Sequence, residues 1–130
     1  MKTKINRILL VDDNEMDNFF HEYVLKKSQI AQQILSVESA EAALAYLSNP
    51  ASPEIDLIFL DINMPGMNGF EFVEACQKFV RPAQQVIIVM LTSSPAPEDV
   101  KKAATYAEIR QYVTKPLSVE IAAEVANKYF

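Results

Sequence analysis

Three short runs of unbroken apolar side chains, Ile8–Val11, Leu57–Leu60 and Val86–Leu91, constrain this chain most. A strand with one wet face alternates apolar and polar residues, whereas a strand buried on both faces has no reason to. The runs therefore predict a sheet covered by helices on each side. Ile34–Val37 reads as a weaker strand, and another lies near Tyr112–Thr114. Helical periodicity fills the intervals. Met16, Phe19, Phe20, Tyr23 and Val24 step by three and four residues and predict one apolar stripe, with His21 beside it at the surface or boundary. Ala40, Ala43, Leu44 and Leu47 repeat the pattern behind a capping Ser39. Asn68 and Glu71 make a capping box ahead of Phe72, Val73, Cys76, Phe79 and Val80. Pro97, Glu98 and Asp99 open a shorter helix with Val100, Ala103, Ala104 and Ala107, and Ser118 caps a last one with Ile121, Ala122, Val125 and Tyr129. Five strands alternating with five helices predict an α/β fold with a parallel sheet, right-handed crossovers and helices on both faces.

A length of 130 residues, half of them apolar, suits one domain with a single sizeable core. Twelve basic against 17 acidic residues give a net charge of −5, which argues against the basic footprint of general nucleic-acid binding. Cys76 stands alone, so no disulfide forms within the chain, and its place on a helical apolar face reads as core. No apolar run approaches the ~20 residues of a membrane helix, and none resembles a signal segment. The expectation is a cytoplasmic protein that engages neither nucleic acid nor membrane directly.

In open parallel sheets, chemistry gathers beyond the carboxyl ends of the strands. The first strand runs into Asp12 and Asp13, the third into Asp61; the fourth ends at Thr92 and the fifth at Lys115. Three carboxylates and one ammonium leave a charge of −2 on that rim. Like charges so placed raise each other's pKa unless a cation joins them. A divalent ion cancels the excess, and all-oxygen ligands favour Mg2+. A carboxylate beside Mg2+, an ammonium and a hydroxyl is suited to attack phosphorus, and Asp61, on the middle strand of the three, is the natural acceptor. Gly66 and Gly69, the only glycines, both follow Asp61 and read as turn formers; no phosphate-cradling glycine pattern exists. Met64 and Met67 beside them line a contact surface or pack the loop, and Lys26–Lys27 and Lys101–Lys102 read as solvated pairs.

Four ordered motifs span nearly the whole chain: Ile-Leu-Leu-Val-Asp-Asp at 8–13, Leu-Asp-Ile-Asn-Met-Pro-Gly-Met-Asn-Gly at 60–69, Leu-Thr-Ser at 91–93 and Tyr-Val-Thr-Lys-Pro at 112–116. In these the chain resembles the receiver domain of two-component response regulators, the phosphoacceptor module of the chemotaxis-regulator type. The resemblance implies a flavodoxin-like fold with strand order 2-1-3-4-5. It implies that Asp61 takes a phosphoryl group from a sensor histidine kinase or a histidine phosphotransfer protein. Asp13 and Asp61 would bind Mg2+ directly with the main-chain carbonyl of Asn63, and Asp12 mostly through water. Lys115 would pair with Asp61 before transfer and with a phosphoryl oxygen afterwards, while the Thr92 hydroxyl bonds another. Tyr112 would turn inward once Thr92 moves, altering the surface of the fourth helix, fifth strand and fifth helix for a downstream protein. Asn63 and Ser94 would tune the phosphoryl lifetime, and Lys115–Pro116 would be cis. Such a protein is a signalling switch that phosphorylates and dephosphorylates itself rather than a turnover enzyme, and it is a monomer or a phosphorylation-dependent dimer. The expectation for 1–130 is one receiver domain with no output domain in this chain, standing alone or forming part of a longer protein.

Two features depart from the family pattern. Ser94-Pro95-Ala96-Pro97 is proline-rich, and Glu108 stands about where receivers commonly have a glycine. The main alternative is a Mg2+-dependent aspartyl phosphatase of the haloacid-dehalogenase type, but its general acid two residues after the nucleophile is here Asn63. A flavin carrier of similar fold needs a hydroxyl- and glycine-rich loop where Asp12-Asp13-Asn14-Glu15 stands. A degenerate receiver, never phosphorylated, is a third reading, although every site position is filled.

Overall fold

The apolar runs pair into one parallel sheet because only there are both of their faces covered. The computed structural model describes residues 5–79, 86–93 and 96–130. Val80, Ser94 and Pro95, and the side chain of Phe79, lie outside the described residues. In chain order the elements are β1 (Ile5–Val11), α1 (Glu15–Ser28), β2 (Ala31–Val37), α2 (Ala40–Ser48), β3 (Leu57–Leu60), α3 (Gly69–Phe79), β4 (Ile87–Thr92), α4 (Pro97–Ala103), β5 (Ile109–Thr114) and α5 (Val119–Tyr129). The five strands are ordered β2-β1-β3-β4-β5, and every pair is parallel. β2 at the edge is longer than its apolar signature because several of its residues stay wet. Among the described residues no helix is long and apolar enough to cross a membrane.

Alternate residues of each strand feed two cores. Ile8, Leu10, Leu57, Phe59, Val89 and Leu91 pack under α1 and α5 with Leu25, Ala122 and Val125. Leu9, Ile58, Leu60, Ile88 and Met90 pack under α2, α3 and α4 with Ala43, Phe72 and Ala103. Met64 is buried in that second core and Met67 packs against it, so the loop after β3 is packed rather than presented. The helix starts follow the sequence signals. Ser39 accepts from the Ala42 N–H and Ser118 from the Ile121 N–H. Asn68 and Glu71 exchange two bonds of 2.9 Å.

α1 is the exception. Its expected core stripe faces water: Met16, Phe19, Phe20 and Tyr23 are 73, 71, 46 and 58% exposed. The buried face carries Asn18, His21, Val24 and Leu25, with His21 only 2% exposed. The periodicity was real but belonged to the opposite side of the helix. Asn18 turns the inner face toward the sheet: its Nδ2 donates to the Asp12 carbonyl at 2.9 Å and to the Val37 carbonyl at 3.1 Å. Those two carbonyls lie at the ends of β1 and β2, and the Val37 carbonyl also takes the Asp12 N–H at 3.2 Å, so a buried amide ties the strand ends together where a phenyl ring could not.

This orientation predicts that Leu25→Ala costs roughly 2–5 kcal/mol of stability, as a fully buried leucine does. Phe19→Ala should stay within about 0.5 kcal/mol, as surface substitutions do. Denaturant unfolding of both variants checks the order, and a larger loss at Phe19 would contradict the placement of α1.

Candidate functional site

Strand register assembles the site. Val11 pairs with Leu60, so Asp12 and Asp61, one residue on, leave adjacent strands side by side. The Asp61 N–H donates to the Val11 carbonyl at 3.0 Å, tying the two ends together. Leu60 pairs with Met90 and Thr92 with Thr114, which puts Thr92 and Lys115 on the same rim. The Lys115 N–H donates to the Thr92 carbonyl at 2.7 Å, and the Lys115–Pro116 peptide is cis. Asp12, Asp61 and Thr92 are buried, while Asp13 and Asn63 are exposed on the loops beside them. Gly69 does more than turn the chain. A Cβ at that position would sit 2.6 Å from the Asp61 carbonyl oxygen, so α3 can start this close to the end of β3 only from a glycine. Gly66, at φ +75°, is the residue whose backbone itself requires glycine.

One carboxylate oxygen from each of Asp12, Asp13 and Asp61 lies within 4.8 Å of the others. Burial, reinforced by the Asp12 charge, pushes Asp61 up from 3.8 to about 6, against the opposing pull of Lys115 and the Ile62 N–H. A crowded acid with an all-oxygen neighbourhood is the environment a hard divalent cation relieves, so these residues fit a metal ion. Lys115 meets Asp61 and two further acids. Its ammonium bonds Asp12 at 2.6 Å and Asp17 at 2.8 Å, and stands 3.9 Å from Asp61. Burial works against its charge, yet the bonds from Asp12 and Asp17 and the field of Asp61 outweigh it, and its pKa rises. His21 lies under the same rim, and burial together with Lys115 lowers its pKa.

Tyr112 is turned inward. Its ring packs against the α2–α4 core, and its hydroxyl is buried with no hydrogen-bond partner of ordinary geometry among the described residues. Burial and Asp99 raise its pKa, and the nearby Thr92 hydroxyl partly offsets them. Glu108 accepts from the Gln77 amide of α3 at 2.9 Å, which ties the α4–β5 turn to α3. Cys76 packs in the core beside it, and burial pushes its thiol up to about 12.

Sequence reasoning missed two residues of the site, Asp17 and Asn18. Asp17 carried only the signal of an acid in a first helical turn, which the dipole alone explains. Nothing local announces that it meets a lysine 98 residues away.

A sequence model of the response regulator receiver domain matches residues 8–126. The chain belongs to that family. The response regulator Rcp1 of Synechocystis is 34% identical over 113 residues, covering 83% of this receiver and 75% of its own length. A two-component response regulator from Cytophaga hutchinsonii has the same fold, with a TM-score of 0.89 at 33% identity over 96% of both chains. A Mn2+-bound crystal structure of Rcp1 gives a TM-score of 0.73 at 29% identity, covering 94% of this chain and 90% of that one. This receiver spans 54% of a rice two-component response regulator, to which it is 26% identical. None of these likenesses supports the haloacid-dehalogenase alternative.

The raised Asp61 has a thermodynamic consequence. Its ionised form is favoured less in the folded chain than in the unfolded one, so the penalty is absent below about 4 and complete above about 6. With chelator present at pH 7.5, Asp61→Asn should stabilise the fold by roughly 1–3 kcal/mol. The gain should fade as pH falls from 6 toward 4. Thermal unfolding across that range tests it, and a gain independent of pH would rule out this cause.

Proposed function

We propose that Asp61 is the phosphoacceptor of a histidine-to-aspartate relay, working with Mg2+ and driven by a sensor histidine kinase or a histidine phosphotransfer protein. The observation that carries this reading is the meeting of Asp12, Asp13 and Asp61 on one rim with Lys115 among them. Receiver domains act as phosphoacceptor switches, and this one retains every group such a switch needs.

The Asp61 carboxylate attacks phosphorus on the donor. An O–P bond forms as the P–N bond to the donor imidazole breaks, and its electron pair returns to the ring nitrogen. Lys115 and the Thr92 hydroxyl each take a phosphoryl oxygen. A Mg2+ ion held by Asp13, Asp61 and the Asn63 carbonyl, with Asp12 behind a water, would offset charge on those oxygens. The Mn2+-bound relative supports a divalent ion in this role. Hydrolysis returns Asp61 to a carboxylate and releases phosphate, so the chain resets itself without being a turnover enzyme. Thr92 drawn toward the phosphoryl group leaves Tyr112, and that pair biases the α4–β5–α5 surface toward a downstream protein. The exposed Met16, Phe19, Phe20 and Tyr23 continue from the end of α1 that touches Lys115. Their continuity with the site supports reading that apolar face as the docking surface for the protein that carries the phosphohistidine.

Intact mass after incubation with Mg2+ and acetyl phosphate tests the acceptor. The expected result is one phosphoryl adduct that requires Mg2+, is released by hydroxylamine and is absent from Asp61→Asn. An adduct that persists in that variant, or no adduct and no phosphate released from the donor, overturns the reading.

A further inference from the structure

Lys115 is contested. An ammonium has three N–H donors, and two of them are committed to Asp12 and Asp17 while Asp61 stands beyond hydrogen-bond reach at 3.9 Å. Asp12 belongs to the acidic cluster on the strand ends; Asp17 does not, and it reaches in from the first turn of α1. Its placement is built: the Asp17 N–H donates to Asn14 Oδ1 at 3.1 Å, and Asn18, the next residue, is buried and pinned to the ends of β1 and β2. The helix therefore cannot roll Asp17 away from the lysine without breaking the Asn18 bonds.

We infer that Asp17 is a positioning residue that holds the Lys115 ammonium on the α1 side of the site and competes with a phosphoryl group on Asp61 for it. The inference rests on Asp61 being the acceptor. Two effects act in the same direction. A phosphoryl oxygen obtains Lys115 only by sharing it with a second carboxylate, and that carboxylate adds negative charge beside the place where phosphoryl charge accumulates. Asp17 thus sets the balance between the free and phosphorylated forms. Its half-exposed side chain keeps the effect moderate, since solvent screens the pair.

Beryllofluoride, a tetrahedral mimic of a phosphoryl group on a carboxylate, reads that balance at equilibrium. Titrating it with Mg2+ into the whole chain should show Asp17→Asn binding roughly two- to five-fold tighter than the natural chain, the range a half-exposed charge pair carries. Asp17→Glu restores a carboxylate and should bring the affinity back toward the natural value. In a Lys115→Ala background, Asp17→Asn should have a clearly smaller effect, because only the direct field of the carboxylate is left to relieve. An effect of equal size without Lys115 would mean a general field or a helix-dipole role and would overturn the inference. Unfolding of the natural chain, Asp17→Asn, Lys115→Ala and the double variant in chelator supplies a metal-free readout: non-additive losses at Asp17 and Lys115 support the coupling, and additive ones overturn it. If the natural chain binds beryllofluoride but Asp17→Asn binds no tighter, this inference fails while the acceptor stands. If the natural chain takes neither beryllofluoride nor phosphoryl group, the acceptor reading itself has failed.

Discussion

Buried carboxylates on neighbouring strands repel, and each loses hydration that nothing apolar can replace. In this receiver the Lys115 ammonium answers that problem, bonding Asp12 and Asp17 and standing close to Asp61. It arrives there because β5 lies two strands from β3 in a sheet whose ends are in register, and because the Thr92 carbonyl fixes its backbone. Much of the site's layout follows from this single charge. It adds to burial in lowering the pKa of His21 beneath the rim, and it pulls against the burial and the Asp12 charge that raise Asp61.

The compensation is incomplete, and that is what makes the site chemically useful. A fully paired Asp61 would be a poor nucleophile and would have little need of a cation. Here burial and Asp12 outweigh Lys115, so the acid gains on meeting positive charge. A divalent ion and then a phosphoryl group are further claims on the same few oxygens and N–H donors. In the proposed reading, the first response of such a switch is a redistribution of partners among Asp12, Asp17, Asp61 and Lys115.

The outer half of the rim is tied to the helices in the same economical manner. Gly69 lets α3 begin against the Asp61 carbonyl and Asn18 closes the ends of β1 and β2, while at the opposite edge of the sheet, where β5 begins, Glu108 joins the α4–β5 turn to α3. Tyr112 sits inward between these supports with Thr92 as its polar neighbour. The turn carrying Glu108 is therefore braced by side chains where a glycine would have left it to the backbone alone.

Strand and helix order, the sheet's parallel character and the acidic rim were legible in the sequence, because each depends on residues close together in the chain. An unbroken apolar run must be covered twice, and an acid that ends such a run must stand at the sheet's edge. The caps at Ser39, Asn68 and Ser118 were readable for the same local reason. Tertiary structure decided what local pattern leaves open. Periodicity shows that α1 has an apolar stripe but not which way it faces, and the bonds from Asn18 to the carbonyls of Asp12 and Val37 go with Asn18 and His21 inward and the aromatic residues out. Partner choice for Lys115 was hidden likewise. An ammonium goes to whichever carboxylates the packed helices bring near, and only the fold brings Asp17 across 98 residues to meet it.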